Sequence, residues 1–360
     1  MTAQTQIAPA VVAHKGKKNP LSDGQGTLAA ILVSPTMLII LAVVGIPILF
    51  SLRESVFRAN EGIDPATGMV ATGEKFVGLQ NFTDIFNNPQ TIVAVWGSMD
   101  RLINAFINTT FFTIVCVVLE TVLGVAMAII MSKAFKGRGI VRAAILVPWA
   151  IPTIASAKMW SLIFDANGVA NKITGQSTLW LADNASSQWA VIIADVWKTA
   201  PFIGLLTLAG LQTIPDEVYE AAKVDGASGW QQFTRITLPM VKPALVVAVL
   251  FRTLDTMRMF DLPFGMIGPG KYSVETLSMF AYFENNALRY GPAAAYSIVL
   301  FIYIVLVAFL FVTLLGADVI GDPDTKAISD KRKRQKQLAK QEGRRPALAG
   351  STITSGDSAS

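Results

Sequence analysis

Ionisable side chains recur inside apolar runs of this 360-residue chain: Glu120, Lys158, Asp195, Lys198, Arg252, Asp255, Arg258 and Asp261. A charge at a bilayer centre costs about 2.5–3.5 kcal/mol on insertion scales, so each needs a partner or a task. Asp195 and Lys198 lie one helical turn apart. Arg252, Asp255, Arg258 and Asp261 follow at three-residue intervals with alternating sign. Two readings suit this pattern. One is a self-neutralising network that fixes helix packing. The other is a polar lining for a hydroxyl-rich solute, with Trp197 and Phe260 as stacking faces, because planar hydrogen-bonding groups and aromatic platforms hold sugars. Counted along their helices at about 1.5 Å per residue, Lys198 and Asp255 reach similar depth and would pair if the two helices are neighbours, a neighbouring Arg being the other partner open to Asp255. Covalent chemistry is poorly supplied. One cysteine, Cys116, and one histidine, His14, cannot furnish a four-ligand Cys/His centre and leave little for a nucleophile–base pair.

These charges must be positioned by membrane helices. The chain is 52% hydrophobic and only 15% charged, against about 25% charged in soluble domains. Six stretches are long enough, near 20 apolar residues, to cross a bilayer: 27–50, 103–131, 142–164, 188–211, 243–263 and 291–316. The expected fold is therefore an all-α polytopic membrane protein with six spans. Sorting Lys and Arg by side places 18 in 1–26, 132–141, 212–242 and 317–360, against 7 in 51–102, 165–187 and 264–290. By the positive-inside rule both termini are cytoplasmic. Residues 1–26 form an N-terminal tail, 27–316 the membrane domain, and 317–360 a basic, disordered cytoplasmic tail held at anionic lipid. The net charge of +5 is assigned to orientation rather than to nucleic acid.

Residues 214–243, between the fourth and fifth spans, are amphipathic beyond what a connector requires. Pro215 opens a helix whose first turn carries Asp216 and Glu217, where the positive dipole end favours acids. Gly226 and Gly229 permit a sharp turn, and a second short helix carries Trp230, Phe233 and Ile236 before Pro239 and Pro243. The run Glu220-Ala221-Ala222 with Asp225-Gly226, followed by Ile236, Leu238 and Pro239, resembles the EAA loop of ABC importer permeases of type I fold. Its extended form, EAAKVDGASGWQQFTRITLP, is similar to the carbohydrate-uptake branch typified by maltose and trehalose permeases. Weaker matches include Phe76–Phe82, Leu146-Val-Pro-Trp149 and Phe251–Asp255.

The resemblance implies a transport subunit in a bacterial plasma (inner) membrane, paired with a second homologous permease. It implies two ATPase copies, docked through the hairpin, and an extracytoplasmic sugar-binding protein. The substrate implied is a di- or oligosaccharide of the trehalose or maltose type. Gly265-x4-Gly270-Lys271 imitates the start of a phosphate loop, but Tyr272 replaces the Ser or Thr that ligates Mg²⁺ and no strand precedes it. ATP and Mg²⁺ are thus expected on the partner, with no cofactor, metal or catalytic residue in this chain. The rival readings are a secondary transporter driven by an ion gradient through buried carboxylates, and an integral membrane enzyme.

Overall fold

The first apolar run becomes α1 (Gln25–Ile40), a π-helical turn (Leu41–Gly45) and α2 (Ile46–Ser55) in the computed structural model, which describes residues 25–60, 68–69, 73–87 and 90–316. His14, the basic tail and nearly all of 1–26 lie outside the described residues. Ile31, Leu38 and Leu49 are exposed along this helix, as expected of a surface whose solvent is lipid.

The 51–102 segment is not purely helical. Strand β1 (Phe57–Ala59) pairs antiparallel with β2 (Glu74–Phe76), followed by α3 (Gln80–Asn87). A second ribbon joins β3 (Thr91–Ala94) to β4 (Gly97–Asp100). The all-α expectation omits these two ribbons, whose three- and four-residue strands are too short to show a clear alternation.

Asp100 then caps α4 (Arg101–Ser132) by accepting from the N–H groups of Leu102 and Ile103. The third apolar run is a broken element: α5 (Arg138–Ala150) and α6 (Thr153–Ile163) meet at 95°. Pro152 causes the break. It has no N–H to donate, and it holds the preceding Ile151 extended at φ −72°, ψ 134°. Short α7 (Val169–Thr174) leads to α8 (Asn184–Leu211), the most buried of the long apolar helices.

The hairpin consists of α9 (Asp216–Val224) and α10 (Gly229–Gln232), the latter continuing through a π-helical turn (Phe233–Thr237) into α11 (Leu238–Met257). The fifth span thus starts earlier than predicted and stops at Met257, short of residue 263. Arg258 caps its C-terminus, and Asp261 opens a separate helix, α12 (Asp261–Ile267). Pro239 and Pro243 do not interrupt the run. Pro239 follows directly on the π-helical turn Phe233–Thr237, where the regular i→i−4 ladder is already interrupted. A loop leads to α13 (Leu277–Asn286) and the last span, α14 (Tyr290–Phe311) with a π-helical end at Val312–Gly316. Among the described residues, five helices are long and apolar enough to cross a membrane, and counting the bent pair as one span makes six.

Small residues bring α4 and α8 together. A Cβ on Gly124 would stand 2.8 Å from Cβ of Ile203, and one on Gly204 would stand 3.2 Å from the Gly124 carbonyl oxygen. Such close backbones gain dispersion contacts where lipid offers no hydrophobic advantage to burial. A Cβ on Gly210 would stand 2.7 Å from Cβ of Ala244, so α11 packs on α8 just as closely, and the charged positions of α4, α8 and α11 converge.

Candidate functional site

Arg252 is the hub of that convergence. Its Nε donates to Glu120 Oε2 at 2.6 Å and its Nη1 to Asp255 Oδ2 at 2.8 Å, while Nη2 donates to Glu120 Oε1 at 3.0 Å and to Asp195. The Arg252 side chain is 4% exposed, Glu120 0% and Asp195 7%, but Asp255 is 53% exposed. Thr199 Oγ1 adds a hydrogen bond to Glu120. Three carboxylates from three helices thus satisfy one guanidinium, as a buried charge requires. Cys116 approaches Glu120 and Asp195 in a buried group of metal-binding residue types, but the guanidinium already supplies the cation between the two carboxylates.

Of the two partners open to Asp255, the structure selects the neighbouring arginines, and no Lys198–Asp255 pair forms. Lys198 Nζ donates instead to the Ile151 carbonyl at 2.6 Å, one of the acceptors released by the break at Pro152. Asp255 is held by Arg252 and by Arg258 Nη2 at 3.2 Å. Similar depth on two helices does not establish that two side chains share an azimuth, and here a carbonyl and a same-helix arginine take the partners.

Beside this network lies a cavity of about 680 Å³, within the range of about 300–1,000 Å³ typical of small-molecule sites. Lys198, Arg252, Asp255, Arg258, Phe260 and Asp261 line it, joined by Trp149, Thr199 and the Ile151–Pro152 break. Trp197 does not reach it. That indole packs edge-on against Trp160 at 5.6 Å and borders an apolar groove with Leu123 and Pro201. Phe260 is stacked on Phe264 at 5.1 Å and braced by Tyr282 at 4.8 Å, so its ring is fixed. The aromatic that sequence reasoning left out is Trp149. Its signal is Pro152, three residues on, which breaks the helix and leaves Trp149 at the end of α5 on the cavity wall.

The hairpin is assembled by local rules. Helix α9 ends in a Schellman turn, with Ala227 N–H donating to the Ala222 carbonyl at 2.9 Å and Gly226 N–H to Lys223 at 3.1 Å. Gly226 has φ +76°, the left-handed region that the sequence pattern predicts for it. Gly229 is different: it sits in the first turn of α10 without positive φ, behind a Ser228–Gln231 capping box. Tyr219 and Thr237 hydroxyls meet at 3.1 Å and brace the two arms. Ala222 is buried, whereas Glu220, Ala221, Asp225 and Gly226 are exposed, with Val224 88% and Trp230 72% exposed beside them. Further along, Leu238 and Pro239 are exposed and Ile236 half-buried. The geometry is an exposed knob, charged at Glu220 and Asp225 and apolar at Val224 and Trp230.

Comparison with known proteins places this arrangement. A family model described as the binding-protein-dependent transport system inner membrane component matches residues 120–320. The trehalose/maltose transport system permease protein MalF of Thermococcus litoralis is 37% identical over 286 residues, covering 78% of this chain and 90% of that protein. The trehalose transport system permease protein SugA of Mycobacterium tuberculosis is 34% identical over 323 residues, covering 89% and 97%. A crystal structure of a bacterial ABC transporter that imports the acidic polysaccharide alginate superposes with TM-score 0.65 at 21% identity, covering 80% of this chain and 94% of the other; this likeness bears on fold alone. With its bent third span, its Arg252-centred helix junction and its hairpin between the fourth and fifth spans, the chain belongs to the family of binding-protein-dependent transport system inner membrane components, the ABC importer permeases.

Proposed function

We propose that this chain, with a second homologous permease subunit, forms the membrane path of an ATP-driven importer for a neutral di- or oligosaccharide of the trehalose or maltose type. The observation that carries this reading is the 680 Å³ cavity, where half-exposed Asp255, exposed Arg258 and Asp261 face the flat rings of Trp149 and Phe260. Hydroxyls would find donors and acceptors there, and ring C–H faces would find aromatic platforms. Arg252 has a different task, because four of its five N–H donors are taken by Glu120, Asp195 and Asp255. It holds Asp255 in place rather than binding solute.

An extracytoplasmic sugar-binding protein would deliver the solute, and two copies of a separate ATPase, carrying ATP and Mg²⁺, would drive the switch of access. The exposed Glu220–Gly226 knob would be their handle, on the cytoplasmic side, with Ala222 anchoring it and Ile236, Leu238 and Pro239 passing its motion into α11. The test is labelled-trehalose and labelled-maltose uptake by the reconstituted complex, comparing wild type with Phe260→Ala and Asp261→Asn at equal membrane abundance. Raised half-saturation in both variants is expected. Unchanged half-saturation in both, or uptake that persists without ATP, overturns the reading; the latter outcome would favour an ion-gradient transporter.

A further inference from the structure

At the end of the bundle away from the α9–α10 hairpin, a second pocket of about 240 Å³ opens between β1, α3 and the turn joining α13 to α14. It shares no lining residue with the 680 Å³ cavity. Two oriented guanidiniums face it. Arg58 donates through Nε and Nη2 to Asn81 Oδ1 at 2.9 and 2.7 Å, and through Nη2 to Asp84 at 2.7 Å. Arg289 donates through Nε and Nη2 to Glu284 at 2.6 and 2.8 Å. Each keeps an Nη1 with no protein partner among the described residues, and so do the hydroxyls of Tyr290 and Tyr296.

The backbone around this pocket is specialised. Leu288, on its rim, has φ +60° and is the one non-glycine residue with positive φ among the described residues. It occupies the left-handed position of a turn in which Arg289 N–H donates to the Glu284 carbonyl at 3.1 Å, a place where glycine is usual. Outlying backbone of this kind clusters at ligand clamps. Here it returns Arg289 over Glu284. Next to it, Gly291 is pressed so close to β1 that a Cβ would lie 2.1 Å from the Phe57 carbonyl oxygen and 2.8 Å from Asn81 Nδ2. A larger residue there would force the pocket's two walls apart.

Two cations and two carboxylates balance, so the pocket offers no net charge to an ion. It offers free donors, a carboxylate oxygen and two phenol rings to a neutral polyol. Its volume is below the roughly 300 Å³ at which drug-sized sites begin, which suits a single sugar ring. We propose that this pocket is a subsite for one hexopyranose ring of a neutral sugar, reached before the membrane cavity. That order rests on the orientation and sugar transport proposed above.

The test uses the complete importer complex in nanodiscs, carrying Gln90→Cys at the pocket wall in a Cys116→Ser background. Methyl α-D-glucopyranoside should slow modification of residue 90 by an impermeant maleimide. Arg289→Gln and, separately, the fold-conserving Tyr296→Phe should raise the half-protecting concentration about tenfold, one good hydrogen bond's worth of affinity. Lys198→Met, in the other cavity, should leave it unchanged. Absence of protection in a complex whose ATPase still responds to sugar overturns the subsite and leaves the transport function standing. Protection that survives both pocket variants also overturns it. Protection by the delivery protein alone, with none from the sugar, would make the pocket a protein-docking feature and refute the proposal. Loss of all sugar-stimulated ATPase activity with protection intact would instead refute the transport reading.

Discussion

Replacing Arg252 by methionine removes the cation shared by Glu120 and Asp195 while keeping an unbranched apolar stem in its place. The two carboxylates are 0% and 7% exposed and come from different helices, so neither can turn to water. Breaking a buried pair by removing one partner costs about 3–5 kcal/mol, because the remaining charge is uncompensated. Asp255→Asn behaves differently. Its side chain is 53% exposed, the amide still accepts from Arg252, whose charge Glu120 and Asp195 continue to balance, and the exposed Asp255–Arg258 pair contributes only about 0–1 kcal/mol. The structure therefore predicts an asymmetry of several kcal/mol between two residues only three positions apart. Unfolding of the purified chain in mixed micelles, titrated with a denaturing detergent, measures both. Combining Arg252→Met with Glu120→Gln and Asp195→Asn should recover much of the loss, since polar but uncharged groups need less compensation. An Asp255→Asn variant as damaged as Arg252→Met, or an Arg252→Met cost under about 1 kcal/mol, the value of a surface pair, would refute this asymmetry.

Gly226→Val introduces no clash, since nothing lies within 4 Å of the added Cβ; its cost is the left-handed backbone, about 1–2 kcal/mol. Uptake and ATPase co-purification should fall with membrane abundance intact, and normal sugar-stimulated ATPase would sink the coupling role. For orientation, Val93→Cys in a Cys116→Ser background should react with an impermeant thiol reagent in intact cells, and Lys136→Cys should not; the reverse pattern inverts the topology. At the start of α8, Asp183 accepts from Ser186 N–H, and this bond holds its carboxyl below the usual range. A depressed pKa adds stability that is present above the unfolded value near 3.9 and lost as pH falls through the folded one. The stability advantage over Asp183→Ala should thus shrink below about pH 4, and an advantage independent of pH down to 2.5 would contradict the cap.

What the linear chain determines is whatever depends on neighbours within a few residues. Apolar length is a local sum, so the existence of the long spans can be read from it, although the proline-containing start of α11 lies earlier than residue 243, where the apolar run alone places it. Gly226 is also local: a helix that must end within a tight hairpin needs a left-handed residue, and the run from Ala222 to Ala227 supplies the turn. The break at Pro152 was hidden for a related reason. Averaged hydropathy is blind to direction, so a 95° bend between two apolar helices reads as one span. Helix ends were misplaced likewise, because the alternating charges after Arg252 continue the pattern past Met257 while the backbone does not.

The partners of the buried charges were decided only in three dimensions. Arg252 of α11 meets Glu120 of α4 across 132 residues because both helices pack closely on α8, α4 through Gly124 and Gly204 and α11 through Gly210 against Ala244. Lys198 is drawn to a carbonyl freed by a proline 46 positions away in the chain. Residue types announced that these charges needed partners, since burial without compensation is too costly. Which partner each obtained depended on helix rotation and on the bend at Pro152, and no spacing along the chain encodes either.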